Sequence, residues 1–144
     1  LGDDLDFDEI SRVINVNAIG TLRVTNALSS LVLNSTEKTI VNISSEAGSI
    51  ADCWRTGWFG YCMSKAANNM QSALVHNNIQ KLGGKVFAIH PGHVATYMRG
   101  HLDTTAKITP DVSAEGILHV VLDMPHPINS RPLYLDYTGK ELPW

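Results

Sequence analysis

The chain has 144 residues, of which 44% are hydrophobic and 17% charged, with a formal net charge of −3. That length fits one domain with an adequate core, and that composition excludes a disordered chain. With no basic run there is no electrostatic support for a nucleic-acid or anionic-membrane partner, and no apolar stretch approaches the ~20 residues that a bilayer-spanning helix needs.

Leu1-Gly2-Asp3-Asp4 opens without a methionine or a strand and runs straight towards a helix, as if from the middle of a longer chain. Asp6-Phe7-Asp8-Glu9 has capping-box spacing, and acids crowd this end, where the helix dipole favours them. From Ile10 to Leu33 the apolar residues Ile10, Val13, Ile14, Val16, Leu22, Val24, Leu28, Leu31 and Val32 predict one long, mostly buried helix. Gly20 interrupts it, at a cost of about 1 kcal/mol against Ala, which implies close packing there.

Thr39-Ile40-Val41-Asn42-Ile43 is a β-branched run that reads as a buried strand ending at Ser44-Ser45. A polar and aromatic loop follows from Glu46 to Gly60, and an excursion of that length in a small domain is usually functional. Its Trp54, Trp58 and Phe59 either line a hydrophobic pocket or plug the loop onto the core. A second long helix is expected from Phe59 to Leu82, with Met63, Ala66, Ala67, Met70 and Leu74 as its inner stripe and Gly83-Gly84 as its stop. Val86-Phe87-Ala88-Ile89 is a further buried strand, closed by His90-Pro91-Gly92. A loop, a helix near Val112 to Leu122 and a last strand at Leu133 to Tyr137 complete the chain.

Strand–helix alternation with short connections implies an α/β fold: a parallel sheet covered on both faces, with its site beyond the carboxyl ends of the strands. Three strands are few for such a sheet, so its N-terminal strands are expected to be missing from this chain. Residues 1–144 then form the catalytic C-terminal portion of one domain. Cys53 and Cys62 make neither a disulfide framework nor a metal knuckle, so they read as free thiols in a reducing cytoplasm. His90, His93 and His101 lack a carboxylate or cysteine at ligand spacing, so no metal is expected.

Tyr61 and Lys65 stand four apart at the start of the second long helix, on one face and one turn from each other. An ammonium so placed favours the phenolate of the tyrosine. That arrangement suits a general acid/base for an alcohol/carbonyl pair, and the Ser45 hydroxyl at the nearby strand end could hold the same oxygen. The spacing alone is weak, since chance supplies it in roughly one in six chains of this composition.

Its company is stronger. In order stand Asn17-Ala18-Ile19-Gly20, Ile43-Ser44-Ser45-Glu46-Ala47-Gly48, Tyr61-Cys62-Met63-Ser64-Lys65-Ala66-Ala67 and His90-Pro91-Gly92-His93-Val94-Ala95-Thr96. The set resembles the short-chain dehydrogenase/reductase family over essentially the whole chain. The ending Leu135-Asp136-Tyr137-Thr138-Gly139-Lys140 resembles its small carbonyl-reductase-like members.

The resemblance implies a Rossmann-type, doubly wound fold and an NAD- or NADP-dependent oxidoreductase acting on a small-molecule carbonyl or alcohol. It also implies a homo-oligomer, a dimer or tetramer, paired through the long helices. Carried over residue by residue, it gives Tyr61 proton exchange with the substrate oxygen. Lys65 would support the phenolate and bind the nicotinamide ribose, and Ser45, in preference to Ser44, would polarise the carbonyl. Asn17 would hold a water that links Lys65 to solvent. Pro91, Gly92, Val94 and Thr96 would wrap the nicotinamide, and Tyr97 and Met98 would open a mobile lid that touches substrate.

The resemblance also exposes a departure. The family's Thr-Gly-x-x-x-Gly-x-Gly turn and its Asn-Asn-Ala-Gly segment are absent, and with them the helix N-terminus that holds a pyrophosphate and the selector between NAD and NADP. Two readings follow. Either the chain belongs to a longer oxidoreductase whose other ~100 residues complete the sheet, or it is a truncated, non-catalytic interaction module that keeps the tetrad by descent. Epimerase or dehydratase relatives use the same Tyr-Lys pair but carry a substrate domain, for which the stretch after Leu82 leaves no room.

Overall fold

Among the described residues, β-branched and apolar runs give three strands, β1 (Thr39–Ile43), β2 (Lys85–His90) and β3 (Leu133–Asp136), joined in a parallel sheet of order β1-β2-β3. The computed structural model describes residues 5–123 and 131–144. Asp3 and Asp4 of the acidic start therefore lie outside the described residues. The helices are α1 (Phe7–Ile14), α2 (Thr21–Asn34), α3 (Phe59–Ile79) and α4 (Pro110–Leu122). Each expected element is present, with ends shifted by a few residues.

Side chains alternate across the sheet. On one face Phe87 and Ile89 of β2 and Leu135 of β3 pack with Val120 of α4 in a dry core, flanked by Val41, Ile117, Val121 and Leu133. Each such side chain, buried fully, contributes about 1.5–3 kcal/mol. The other face carries Asn42, whose amide donates to Ser72 Oγ at 2.8 Å, and Val86, whose N–H donates to His76 Nδ1 at 3.3 Å. Both partners belong to α3. Helices thus cover both faces, as the strand–helix alternation implies.

Two expectations about burial fail. The face of α3 turned to the sheet is polar: Ser64, Asn68, Asn69, Gln71, Ser72 and His76 are buried with Ile79, whereas Met63, Met70 and Leu74 are exposed and Ala66 and Ala67 half-buried. Hydrogen bonds offset much of that inversion, because a buried polar group costs little once it is paired, while Asn69 Nδ2 and Gln71 Oε1 stay buried without a partner among the described residues. Second, the run from Phe7 to Asn34 is helical but mostly uncovered. Ala18 and Thr25 are buried, while Val16, Leu22, Val24, Leu28 and Leu31 stand exposed. The cause lies at β1, an edge strand with no neighbour on its outer side among the described residues. Between that edge and the helices lies an open groove of about 650 Å³, lined by Val16, Val24, Leu28, Ile40 and Ile43.

The N-terminal cap forms in part as expected: the Asp6 carboxylate accepts the Glu9 N–H at 2.9 Å, but Glu9 turns to Arg12 at 2.6 Å. Unforeseen is a π-helical turn at Asn15–Gly20 between α1 and α2. Gly20 belongs to it, and a Cβ there would stand 3.3 Å from Asn15 O, a close approach in line with the expected tight packing. β3 stops one residue short of Tyr137, because the Asp136 carboxylate accepts from Thr138 N, Thr138 Oγ1 and Lys140 N and closes a turn. The chain then folds back along β3 to Trp144, whose carbonyl accepts the Ala51 N–H at 3.0 Å.

Candidate active site

The carboxyl end of β1 runs into Ser44 and Ser45, and Ser45 caps a short 3-10 turn at Glu46–Gly48. Its hydroxyl accepts the Ala47 N–H at 3.2 Å, and its carbonyl accepts both the Gly48 N–H at 2.8 Å and the Tyr134 hydroxyl at 2.5 Å. Ser44 faces inward, donating its hydroxyl to Asn69 Oδ1. Of the two serines, Ser45 therefore keeps its hydroxyl outside the α3 contact. Gly48 makes the turn possible: a Cβ there would lie 2.8 Å from the backbone of Lys65.

α3 begins immediately after Trp58, which holds a left-handed φ of +61°, a conformation that costs a non-glycine residue of order 1–3 kcal/mol and concentrates at functional sites. The Trp58 ring meets the Tyr61 ring edge-on at 6.2 Å. One turn later the Lys65 ammonium lies 5.7 Å from the centre of the Tyr61 ring and donates to Ile43 O, the last carbonyl of β1, at 3.0 Å. Burial pushes the Lys65 pKa down from its ordinary value. Lys65 thus joins the tyrosine's helix to the end of the strand that bears the serine.

Asn17 sits in the π turn, and its amide donates to Ser64 Oγ at 3.0 Å; that hydroxyl in turn donates to Tyr61 O at 2.7 Å. Asn17 is therefore tied to the helix of Tyr61 and Lys65 through Ser64, which is fully buried. π turns inside helices recur at functional positions. Asn17 and Lys65 also line the groove beside β1, whereas Ser45 and Tyr61 do not.

The segment after β2 holds the other candidate residues, beyond the carboxyl end of that strand. Pro91 O accepts Ser113 Oγ at 2.6 Å. Gly92 has φ +88°, and a Cβ on it would meet Ile108 at 2.7 Å and the Tyr137 ring at 3.0 Å, so only glycine fits. Val94 bridges Ile108, and Thr96 is exposed, its carbonyl accepting Asp103 N–H at 3.0 Å. Tyr97 and Met98 are exposed beyond it. His93, raised above as a ligand candidate, pairs with Asp103 at 2.9 Å, and Arg99 shares that carboxylate.

In the loop after β1, Trp54 and Trp58 are both exposed, so neither plugs the core. Arg55, which sequence reasoning passed over, stacks 4.5 Å over Trp54 and binds Glu46 at 2.6 Å. Ser64, Asn69 and Tyr134 were missed as well. Ser64 lies inside the Tyr61–Lys65 motif one residue before the lysine, and a tyrosine in a buried strand needs a partner for its hydroxyl; both were available signals.

The family model described as short chain dehydrogenase matches residues 2–107. The C-signal of Myxococcus xanthus is 35% identical over 141 residues, covering 98% of this chain and 82% of that protein. The 1-hydroxy-2-glutathionyl-2-methyl-3-butene dehydrogenase of Rhodococcus sp. (strain AD45) is 33% identical over 141 residues, 97% of this chain and 61% of the relative. Among solved structures, the NADPH-bound carbonyl reductase from chicken fatty liver superposes with a TM-score of 0.86 at 30% identity, over 100% of this chain and 60% of the other. A carbonyl reductase from Pseudomonas aeruginosa PAO1 in complex with NADP gives a TM-score of 0.75 at 26% identity, over 98% and 58%.

The chain belongs to the short-chain dehydrogenase/reductase family of oxidoreductases. Its fold is that family's Rossmann-type sheet, with three strands among the described residues. It spans about 60% of the dehydrogenase and the solved reductases, and more of the C-signal.

Proposed function

We propose that residues 1–144 are the catalytic portion of an NAD(P)-dependent oxidoreductase that interconverts an alcohol and a carbonyl, with Tyr61 as general acid/base. The observation that supports this reading most is the 3.0 Å bond from Lys65 Nζ to Ile43 O, which ties the helical turn of Tyr61 and Lys65 to the strand end two residues before Ser45. Asn17 is held against the same helix through Ser64.

The residues present fit one half of the cofactor. A phenol, a partly buried ammonium and the exposed Thr96 hydroxyl are donor types that would suit the ribose and carboxamide of a nicotinamide, and Pro91, Gly92 and Val94 would wall it. No Thr-Gly-x-x-x-Gly-x-Gly turn stands in the 144 residues to take the diphosphate, so no role is assigned for that half. When bound, the nicotinamide would supply or accept the hydride. Tyr61 would give its phenolic proton to the substrate oxygen in reduction and recover it in oxidation. Ser45 would donate to the same oxygen, and Lys65 would stabilise the phenolate electrostatically. Trp58, edge-on to Tyr61, would wall the substrate side. The carbonyl-reductase neighbours support a small-molecule substrate. Among the described residues no helix is long and apolar enough to cross a membrane.

Tyr61→Phe tests the mechanism. Its turnover should fall on the order of 10²–10⁴-fold while nicotinamide binding persists. Wild-type rates in that variant would overturn the assignment.

A second reading has one observation of its own. The C-signal, whose name marks it as a signal, is matched over 82% of its length, so a relative not much longer than this chain carries the same segment. On that reading the chain is an interaction module. Melting the protein with and without NADP and NAD separates the two, because a ligand that binds only the folded state raises the midpoint. A shift supports the oxidoreductase, and its absence together with no turnover supports the module.

A further inference from the structure

We propose that Tyr134 and Asn69 are positioning residues that set Ser45 against the Tyr61–Lys65 face of α3. The inference rests on the reading of Ser45 as the group that holds the substrate oxygen. Asn69 stands eight residues after Tyr61 and four after Lys65, so the three share one helical face. Its Oδ1 takes the Ser44 hydroxyl, which pins the residue before Ser45 to that face. Tyr134 approaches from β3, on the far side of β2, and donates to the carbonyl of Ser45 itself.

Three further hydrogen bonds make the clamp specific. Ser44 N–H donates to Ile89 O at 2.7 Å, holding the segment to the sheet. Gly48 N–H donates to the same Ser45 carbonyl, and a Cβ on Gly48 would collide with Lys65 and Asn69. The Ser45 hydroxyl meanwhile accepts the Ala47 N–H. Ser45 therefore has its backbone fixed from β3 and its preceding residue fixed from α3. The rotation of its hydroxyl is set by the turn between them.

Tyr134 suits a permanent donor. It is fully buried, and burial pushes its phenol up to about 12, so the O–H is retained across the neutral range. The Trp144 ring lies 5.2 Å from its ring, and the tail that carries Trp144 is held by Ala51 N–H. The fold-back after β3 thus closes over the tyrosine that reaches the serine.

The test compares Tyr134→Phe and Asn69→Ala with Asn42→Ala, which loses a buried hydrogen bond to the same helix away from Ser45. Amide exchange at Ala47 and Gly48 and the side-chain coupling constants of Ser45 are followed by NMR, so the outcome does not need turnover. The two positioning variants should speed exchange at Gly48 at least tenfold and average the Ser45 rotamer, while Asn42→Ala lowers the melting temperature and leaves both signals in place.

In a turnover assay with NADPH and a carbonyl, Tyr134→Phe should lower kcat about tenfold with the KM for NADPH unchanged. Wild-type protein that shows no turnover would overturn the oxidoreductase reading alone. Exchange and coupling within twofold of wild type in both variants, or an equal disturbance in Asn42→Ala, would overturn the positioning role. Should the variants fail to fold, the wild-type protein decides: Gly48 N–H exchanging only through global unfolding supports the clamp, and exchange at the rate of exposed loop amides overturns it.

Discussion

The two faces of the sheet solve the same packing problem with opposite chemistry. Against α4 the strands present Phe87, Ile89 and Leu135, and Val120 seals them without a polar atom. Against α3 they present Asn42, Ser44 and Tyr134, each matched by a hydrogen bond. An apolar face is non-directional and tolerates small slides; a polar face fixes register, because each bond has one geometry. The candidate residues Ser45, Tyr61 and Lys65 stand beside this polar contact, where angles are set. The α4 side supplies stability.

The contrast can be broken at several places. The largest effect is expected on the dry face: Phe87→Ala should cost about 3–5 kcal/mol, read by chemical denaturation. A loss under 1 kcal/mol would mean that the α4 seal is not the main support. On the polar face Asn42→Ala removes the bond to Ser72 and should cost about 1–3 kcal/mol, with Asn42→Leu costing no less, because Ser72 keeps its buried hydroxyl.

Away from both faces, the Asp103 carboxyl is held below the usual carboxylate range, first by the Thr105 hydroxyl, then by the His93 ring and the Thr105 N–H. A depressed carboxylate adds stability that is present above its unfolded pKa of about 3.9 and is lost only as pH falls through its lower folded value. The Thr105 amide shift should therefore show no carboxylate inflection near pH 4, while Asp103→Asn alters it at both pH 7 and pH 4. An inflection near pH 4 in the wild type would refute the cluster. The smallest effect is expected at the open groove, where Val24→Lys should change stability by no more than ~0.5 kcal/mol in the 144-residue protein. A larger loss would mean that something covers Val24.

The order of elements was legible because each strand is a β-branched or apolar run and each helix carries its own stops, such as Gly83-Gly84. The positions of Ser45 at a strand end and of Tyr61 and Lys65 on one helical turn followed from the same pattern. What failed was burial. Periodicity turned Met63, Met70 and Leu74 inward, because a hydrophobic stripe is normally a core stripe; here the sheet offers α3 polar partners, and its polar face turns in. The long first helix read as buried from its own periodicity, although the low strand count already implied an open edge at β1 and uncovered helix faces beside it. The clamp on Ser45 was illegible because Tyr134 lies 89 residues away, and only the parallel pairing of β2 with β3 brings it there.

The π turn at Asn15–Gly20 acts as a phase shifter. An α-helix advances ~100° per residue, so one surplus residue turns everything after it by about that angle relative to everything before. Ahead of the turn Ile10 packs on Gly60 at the start of α3; behind it Val24 and Leu28 face the β1 edge. One continuous helix therefore addresses two surfaces that a regular winding could not align with both. Removing a single residue from this segment would leave Ile10 on α3 and swing Val24 and Leu28 away from the strand, so the length of these six residues is constrained as tightly as their identity.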